Sequence, residues 1–165
     1  MTEIKTGNKW RGLFLRYAPL FLWTALVLGL SFGEASMAET ARIISPILRF
    51  LFPNAPETTI VAYHGIIRKC AHFTEYAILA FWAIRAFSTS SIGFLRKGRF
   101  WLAAVLVILI AATDEFHQSF EPSRTGSIYD VLLDCTGGST MIFLFWLFTK
   151  KQSRFSENVP RSQSD

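Results

Sequence analysis

The chain has 165 residues and a net charge of +5, and it is 51% hydrophobic, 15% aromatic and only 18% charged. Soluble domains carry about 25% charged residues, and the mean hydropathy here is +0.31. The composition therefore argues against a soluble core and for one membrane domain. The Lys and Arg residues lie mostly between apolar segments, and no zinc-finger or RNA-binding motif occurs, which argues against a nucleic-acid partner.

Four apolar segments are long enough to cross a membrane, since about 20 helical residues span roughly 30 Å of hydrocarbon. They are residues 13–32, 68–87, 98–116 and 128–148. Alternation with a period of two residues is absent, which argues against strands. The predicted fold is all-α, a polytopic bundle of four transmembrane helices. Cleavage of the first segment as a signal peptide after Ala38 is the alternative, disfavoured because its apolar stretch exceeds a typical signal core.

Basic residues orient these segments. Twelve of the 17 Lys and Arg residues lie before the first segment, around the second connection or after the fourth segment. The positive-inside rule then places both termini in the cytoplasm of a multi-pass protein of the cell membrane. Residues 150–165 are polar and contain Pro160, so a disordered cytoplasmic tail is predicted after a domain of residues 1–149.

The connection between the first two segments contains a helix signal of its own. Ser36 and Glu39 form a capping box, and apolar residues then recur at spacings of four and three up to Leu51. An extracytoplasmic amphipathic helix is predicted, with a break after Ser45 because Pro46 follows. Such a helix lies on the outer leaflet or caps the bundle, and a lid over a site is the alternative.

The outer ends of the last three segments carry ionisable and polar residues at spacings of three and four, so each set shares a helical face. A charge near the centre of a bilayer costs about 2.5–3.5 kcal/mol, so these groups are expected to meet. Gly137 and Gly138 predict a close approach of the last helix to a neighbour. The predicted polar cluster contains Arg68, Lys69, His72, Glu75, Asp114, Glu115, His117, Gln118, Arg124, Asp130 and Asp134.

Three motifs in these segments resemble the signatures of the VanZ-like membrane family. They are RKCAHFTEYAIL at 68–79, DEFHQSFEPSR at 114–124 and DVLLDCTG at 130–137. Their order and spacing match over residues 13–148, with Ser123 where the family commonly has Gly and Met141 where it tends to have a small residue. The resemblance implies a small integral membrane protein of the bacterial cell envelope, and some family members are linked to resistance to the glycopeptide teicoplanin.

Binding is the favoured function. Arg68, Lys69 and Arg124 are predicted at the outer interface, where a guanidinium forms paired bonds with a lipid phosphate. The expected partners are membrane lipids and a lipid-linked cell-wall precursor or glycopeptide. An oligomer is compatible with the sequence, and no cofactor or metal is expected.

Three alternatives stay open. His and Asp residues such as Asp114 and His117 suit an acid/base or metal-dependent enzyme acting on an envelope lipid, although the His-Glu-x-x-His and Gly-x-Ser-x-Gly motifs are absent. A purely structural charge clamp would hold three helices together. Proton-coupled transport ranks last, because the inner halves of the segments offer no relay. Cys70 and Cys135 are interpreted as small apolar side chains rather than as a disulfide.

Overall fold

A computed structural model describes residues 4–32, 37–120 and 127–157. These residues form six α-helices and no strand, which confirms the all-helical prediction for the described part of the chain. The helices are α1 (Ile4–Phe32), α2 (Met37–Leu51), α3 (Glu57–Ser88), α4 (Gly93–Lys97), α5 (Arg99–Gln118) and α6 (Ile128–Glu157).

Helix α3 lies at the centre and packs against every other helix, most extensively against α6. Its buried face is rich in alanine, and Tyr76, Leu79, Ala80, Ala83 and Ile84 are fully buried. Small side chains let helix backbones approach closely, which increases the van der Waals contact available to neighbouring helices in a membrane. The core therefore forms around α3, with α5 and α6 on one side and α1 on another.

Two adjacent glycines of α6 pack against two different helices. A Cβ atom at Gly137 would collide with the carbonyl oxygen of Phe73 in α3, and one at Gly138 would lie 2.6 Å from Cγ1 of Val107 in α5. Both glycines are buried. The predicted close approach is confirmed, and it holds α6 against both neighbours at the same level of the bundle.

Three of the described helices are long and apolar enough to cross a membrane, at Arg11–Leu30, Arg99–Gln118 and Ile128–Gln152. They correspond to the first, third and fourth predicted segments. Large apolar side chains such as Phe14, Trp101 and Phe148 are exposed on their outer faces. Exposed apolar side chains of this kind suit lipid rather than water, as expected of membrane-spanning helices.

The second predicted segment differs from these three. Helix α3 is not among the helices apolar enough to span by composition alone, because His72, Glu75 and Arg85 interrupt its apolar sequence. The helix also begins at Glu57, well before residue 68. Glu57 lies in the first turn, where a carboxylate interacts favourably with the helix dipole, and Pro56 precedes it in an extended conformation.

Two further predictions about helix ends are wrong. Helix α2 continues through Pro46 to Leu51, although a proline inside a helix removes one backbone hydrogen bond. Leu48, on the turn after this proline, is buried, and burial of an apolar side chain favours continuation of the helix. Helix α6 continues to Glu157, so the predicted disordered tail begins within a helix, because residues such as Lys150 and Lys151 favour helical backbone. Residues 158–165 lie outside the described residues.

Helix α2 packs against the first turns of α3. Nε2 of His64 lies 3.0 Å from Oγ1 of Thr40, and Arg49 forms an exposed ion pair with Glu57. On the opposite side of α2, Ile43 and Phe50 are exposed. This amphipathic arrangement places α2 over one end of the bundle, with an apolar side left for lipid.

Candidate functional site

A cavity of about 240 Å³ lies between α1, α2, α3 and α5, and we call it the interhelical cavity. Helices α1 and α2 supply a mostly apolar wall, whereas α3 and α5 supply polar and charged groups. The lining residues are Val27, Leu30, Thr40, Ile44, His64, Ile67, Arg68, Ala71, His72, Glu75, Asp114 and Gln118.

The α3 side of the cavity is one continuous stripe. His64, Arg68, His72 and Glu75 recur at spacings of four, four and three, so they lie above one another on a single helical face. The last three of these residues were predicted to share that face. The stripe also includes His64, because α3 begins at residue 57, eleven residues before the predicted second segment (68–87).

At the edge of the cavity, three side chains from three helices converge, and we call them the His–Asp–Asp cluster. They are His72 of α3, Asp114 of α5 and Asp134 of α6, and one donor atom of each lies within 4.8 Å of the others. Nδ1 of His72 is 3.6 Å from Oδ1 of Asp134. Asp134 is 0% exposed and Asp114 is 2% exposed, so the two carboxyl groups are enclosed by protein.

Hydrogen bonding in this cluster is incomplete. The hydroxyl of Tyr76 donates to Oδ2 of Asp114 at 3.1 Å. Oδ1 of Asp114, Nδ1 of His72 and both carboxyl oxygens of Asp134 have no hydrogen-bond partner. Buried polar atoms almost always have a partner, so four unpartnered atoms in one cluster are unusual.

A comparison with protein families covers the region that contains the cavity and the cluster. The model of the VanZ/LLP1 family matches residues 14–149 of the chain. The chain belongs to the VanZ/LLP1 family. The matched region includes the whole lining of the interhelical cavity and all three members of the cluster. No curated protein and no solved structure matched the chain.

Five predicted cluster residues of this VanZ/LLP1 protein line the interhelical cavity, namely Arg68, His72, Glu75, Asp114 and Gln118. Asp134 joins them through its proximity to His72. The prediction had placed these six residues together because each lay on the expected face of its segment. The structure adds that α1 and α2 complete the enclosure.

Other predicted residues lie elsewhere. Lys69 and His117 are exposed, Asp130 is half-buried, and none of the three lines the cavity. Glu115 is buried, and its Oε2 accepts a hydrogen bond from the backbone N–H of Ser127 at 2.9 Å. Glu115 therefore connects the end of α5 to the residue that precedes α6.

Arg124 lies outside the described residues. Cys70 and Cys135 are both free thiols, in agreement with their interpretation as unpaired side chains.

Sequence reasoning missed four contributors to the site in the VanZ/LLP1 chain. Tyr76 follows His72 by four residues, a spacing that identifies it as a neighbour on the same side of α3. His64 and Thr40 belong to the contact between α2 and α3. The indole N–H of Trp23 in α1 donates to the backbone carbonyl of Glu75 at 3.0 Å, a contact that no local pattern indicates.

Proposed function

We propose that this VanZ/LLP1 protein binds the polar head of a lipid-linked ligand in the interhelical cavity, at the outer leaflet of the cell membrane. The observation that carries the proposal is the cavity itself, in which an apolar wall from Val27, Leu30 and Ile44 faces the charged groups of α3 and α5. A lipid with a charged head likewise combines an apolar part with a charged part, so it matches both sides of the cavity.

The size of the cavity limits what enters it. Pockets that enclose a drug-sized ligand have volumes of about 300–1,000 Å³, and this cavity has about 240 Å³. A whole glycopeptide is too large for it. One phosphate or sugar group of an amphiphile fits, while the lipid chains remain along the exposed apolar faces of the bundle.

The charges suggest the chemistry of that head group. Arg68 is a half-buried guanidinium, and guanidinium groups bind phosphate through paired, charge-assisted hydrogen bonds. Glu75 and Asp114 line the same cavity and accept hydrogen bonds from hydroxyl or amine groups. A phosphate joined to a hydroxyl-rich or amine-bearing group, as in a lipid-linked cell-wall precursor, satisfies both requirements.

The proposed location follows from charge and packing. We infer that α3 crosses the membrane as a fourth span, with its polar residues turned toward the other helices. The excess of Lys and Arg near both termini and in the connection of α3 to α5 supports a cytoplasmic position for that end of the bundle. The interhelical cavity then lies in the outer half of the membrane, where lipid-linked wall precursors expose their heads.

A binding experiment tests this proposal. The full chain in detergent is incubated with a polyprenyl diphosphate bearing a sugar, and bound lipid is counted by native mass spectrometry. Wild type is expected to retain the lipid, and Arg68→Gln to reduce binding at least tenfold. Lys69→Gln is the matched control, because Lys69 is the next residue but is exposed and outside the cavity. Equal binding by wild type and Arg68→Gln would contradict the proposal.

The link to glycopeptides has a separate test. We propose that binding of such a lipid reduces the access of teicoplanin to its target. Expression in a susceptible bacterial host is expected to raise the inhibitory concentration of teicoplanin for wild type and Lys69→Gln, but not for Arg68→Gln or Glu75→Gln. Membrane abundance of each variant is measured alongside, so that loss of protein is separated from loss of function.

An enzyme acting on the same amphiphile is the second candidate. It is favoured by the position of His72, which lines the cavity while its Nδ1 lies 3.6 Å from a buried carboxylate. A carboxylate at this position orients an imidazole for proton transfer. Recovery of a chemically altered lipid from vesicles containing wild type, but not His72→Gln, would favour catalysis over binding alone.

A further inference from the structure

The His–Asp–Asp cluster carries an inference that is independent of the lipid argument. We propose that His72, Asp114 and Asp134 form a binding site for one divalent transition-metal ion at the edge of the interhelical cavity. Three observations support this site: the convergence of donors, the lack of hydrogen-bond partners and the local charge balance.

The donors converge from three different helices. One atom each from His72, Asp114 and Asp134 lies within 4.8 Å of the other two. At metal–ligand bonds of about 2.0–2.2 Å, ligands at tetrahedral or trigonal angles lie roughly 3.3–3.8 Å apart. Side-chain movements on the order of 1 Å would therefore bring the three donors to bonding distance of one ion.

The unpartnered atoms are those that a metal would bind. Oδ1 of Asp114, Nδ1 of His72 and both oxygens of Asp134 lack hydrogen bonds, although Asp134 is fully buried. Its ion pair with His72, at 3.6 Å, is longer than a hydrogen bond. A buried carboxylate that makes no hydrogen bond is strongly destabilised. An ion bound by these atoms would supply the missing partner to all three side chains at once.

The charges of the surrounding residues also favour a cation. Among the described side chains that line the cavity or belong to the cluster, Arg68 is positive, whereas Glu75, Asp114 and Asp134 are acidic. With His72 neutral, as a metal ligand must be, this leaves an excess of two negative charges (one positive against three negative). A divalent cation balances them.

Tyr76 adds a feature common around metal ligands. Its hydroxyl donates to Oδ2 of Asp114, which orients that carboxylate and leaves Oδ1 for the ion. Outer partners of this kind hold metal ligands in place. One imidazole with two carboxylates suits Zn²⁺ or Mn²⁺ better than Ca²⁺ or Mg²⁺, which prefer oxygen ligands alone.

Three protein ligands leave at least one coordination position open. His72 and Asp114 also line the cavity, so the proposed ion would lie beside the space assigned to the lipid head. An ion there would attract the same anionic group as Arg68. The metal site does not depend on this consequence, because its test uses no lipid.

Metal analysis of the full chain tests the site. The protein is purified in detergent without a polyhistidine tag, stripped with EDTA, and loaded separately with Zn²⁺, Mn²⁺ or Mg²⁺ before dialysis. Mass spectrometry of the elements is expected to find about one Zn²⁺ or Mn²⁺ per chain and little Mg²⁺. Asp134→Asn and Asp114→Asn are expected to weaken Zn²⁺ affinity at least tenfold, since even outer-partner changes cost about 10–100-fold.

Two control positions lie outside both the cavity and the cluster. Lys69 and His117 are exposed, so Lys69→Gln and His117→Gln are both expected to retain the metal. Zn²⁺ is expected to raise the Tm of wild type and of both controls, but not of Asp134→Asn. His72→Asn replaces any Asp variant that does not fold.

Two results would overturn the site. One is a wild-type chain that retains no divalent metal and whose Tm does not respond to any of the three ions. The other is folded Asp114→Asn and Asp134→Asn variants that bind Zn²⁺ as tightly as wild type. Either result leaves the lipid-binding experiment with Arg68→Gln unaffected, so the two proposals fail separately.

Discussion

The two halves of the bundle use the same helices in different ways. In the half near α4, the buried residues of α3 and α5 are mainly small and apolar, as with Ala83, Ala86 and Ala103. In the other half, the facing positions hold His72, Glu75 and other polar groups, and a cavity separates the helices. Small residues let the helices close, whereas polar residues need partners and space. The cavity thus begins where the sequence of α3 changes from alanine to ionisable residues.

We call the half near α4 the closed half and the half that contains the cavity the open half. The closed half is expected to lose more stability when a buried side chain is truncated. Leu79→Ala removes a fully buried side chain, and such changes cost about 2–5 kcal/mol because the space is only partly refilled. A large decrease in Tm is expected when unfolding is followed by tryptophan fluorescence in detergent. Leu109→Ala is the control, because Leu109 is exposed on the face of α5 and should change Tm little. Equal effects of the two variants would show that the core is not centred on α3.

Between the two halves, the close contact of α6 with α3 requires a glycine at position 137. An alanine there would collide with the backbone of α3 at Phe73, and overpacking of this kind costs about 1–3 kcal/mol. Gly137→Ala should therefore lower Tm in the same assay. Gly65→Ala is the comparison, since its Cβ meets no atom within 4 Å and should leave Tm unchanged or raise it. A stable Gly137→Ala variant would mean that α6 lies further from α3 than described.

In the half that contains the cavity, a smaller effect is expected from loss of a single hydrogen bond. Tyr76→Phe removes the donor to Asp114 and leaves a buried carboxylate oxygen unpaired, at a cost of about 1–3 kcal/mol. A decrease in Tm smaller than that of Leu79→Ala is expected. Tyr129→Phe, in an exposed tyrosine of α6, should have no effect. If Tyr76→Phe reduces Tm as much as Leu79→Ala, the open half is as tightly packed as the closed half.

Much of the fold follows from local patterns. Apolar length predicts α1, α5 and α6, because a helix must carry about 20 apolar residues to span a membrane. Helical spacing also predicts that His72 and Glu75 share a face. Gly137 and Gly138 predict a close helix contact because few other reasons place two glycines inside an apolar helix.

Other features depend on contacts between distant residues. Trp23 bonds to the backbone of Glu75 across 52 positions of sequence, which no periodic pattern encodes. The continuation of α2 through Pro46 reflects packing that overrides the local preference of proline. Lys69 and His117 were included in the polar cluster because they are polar or charged, but they do not line the cavity. The direction in which a side chain leaves its helix decides whether it faces the cavity, and charge does not indicate that direction.

The position of Asp134 in the final helix has a consequence for biosynthesis. A chain is synthesised from its N-terminus, so His72 and Asp114 exist before Asp134, the third member of their group. Each nascent chain therefore passes through a stage in which its most polar interior is incomplete. Synthesis and packing of α6 end that stage.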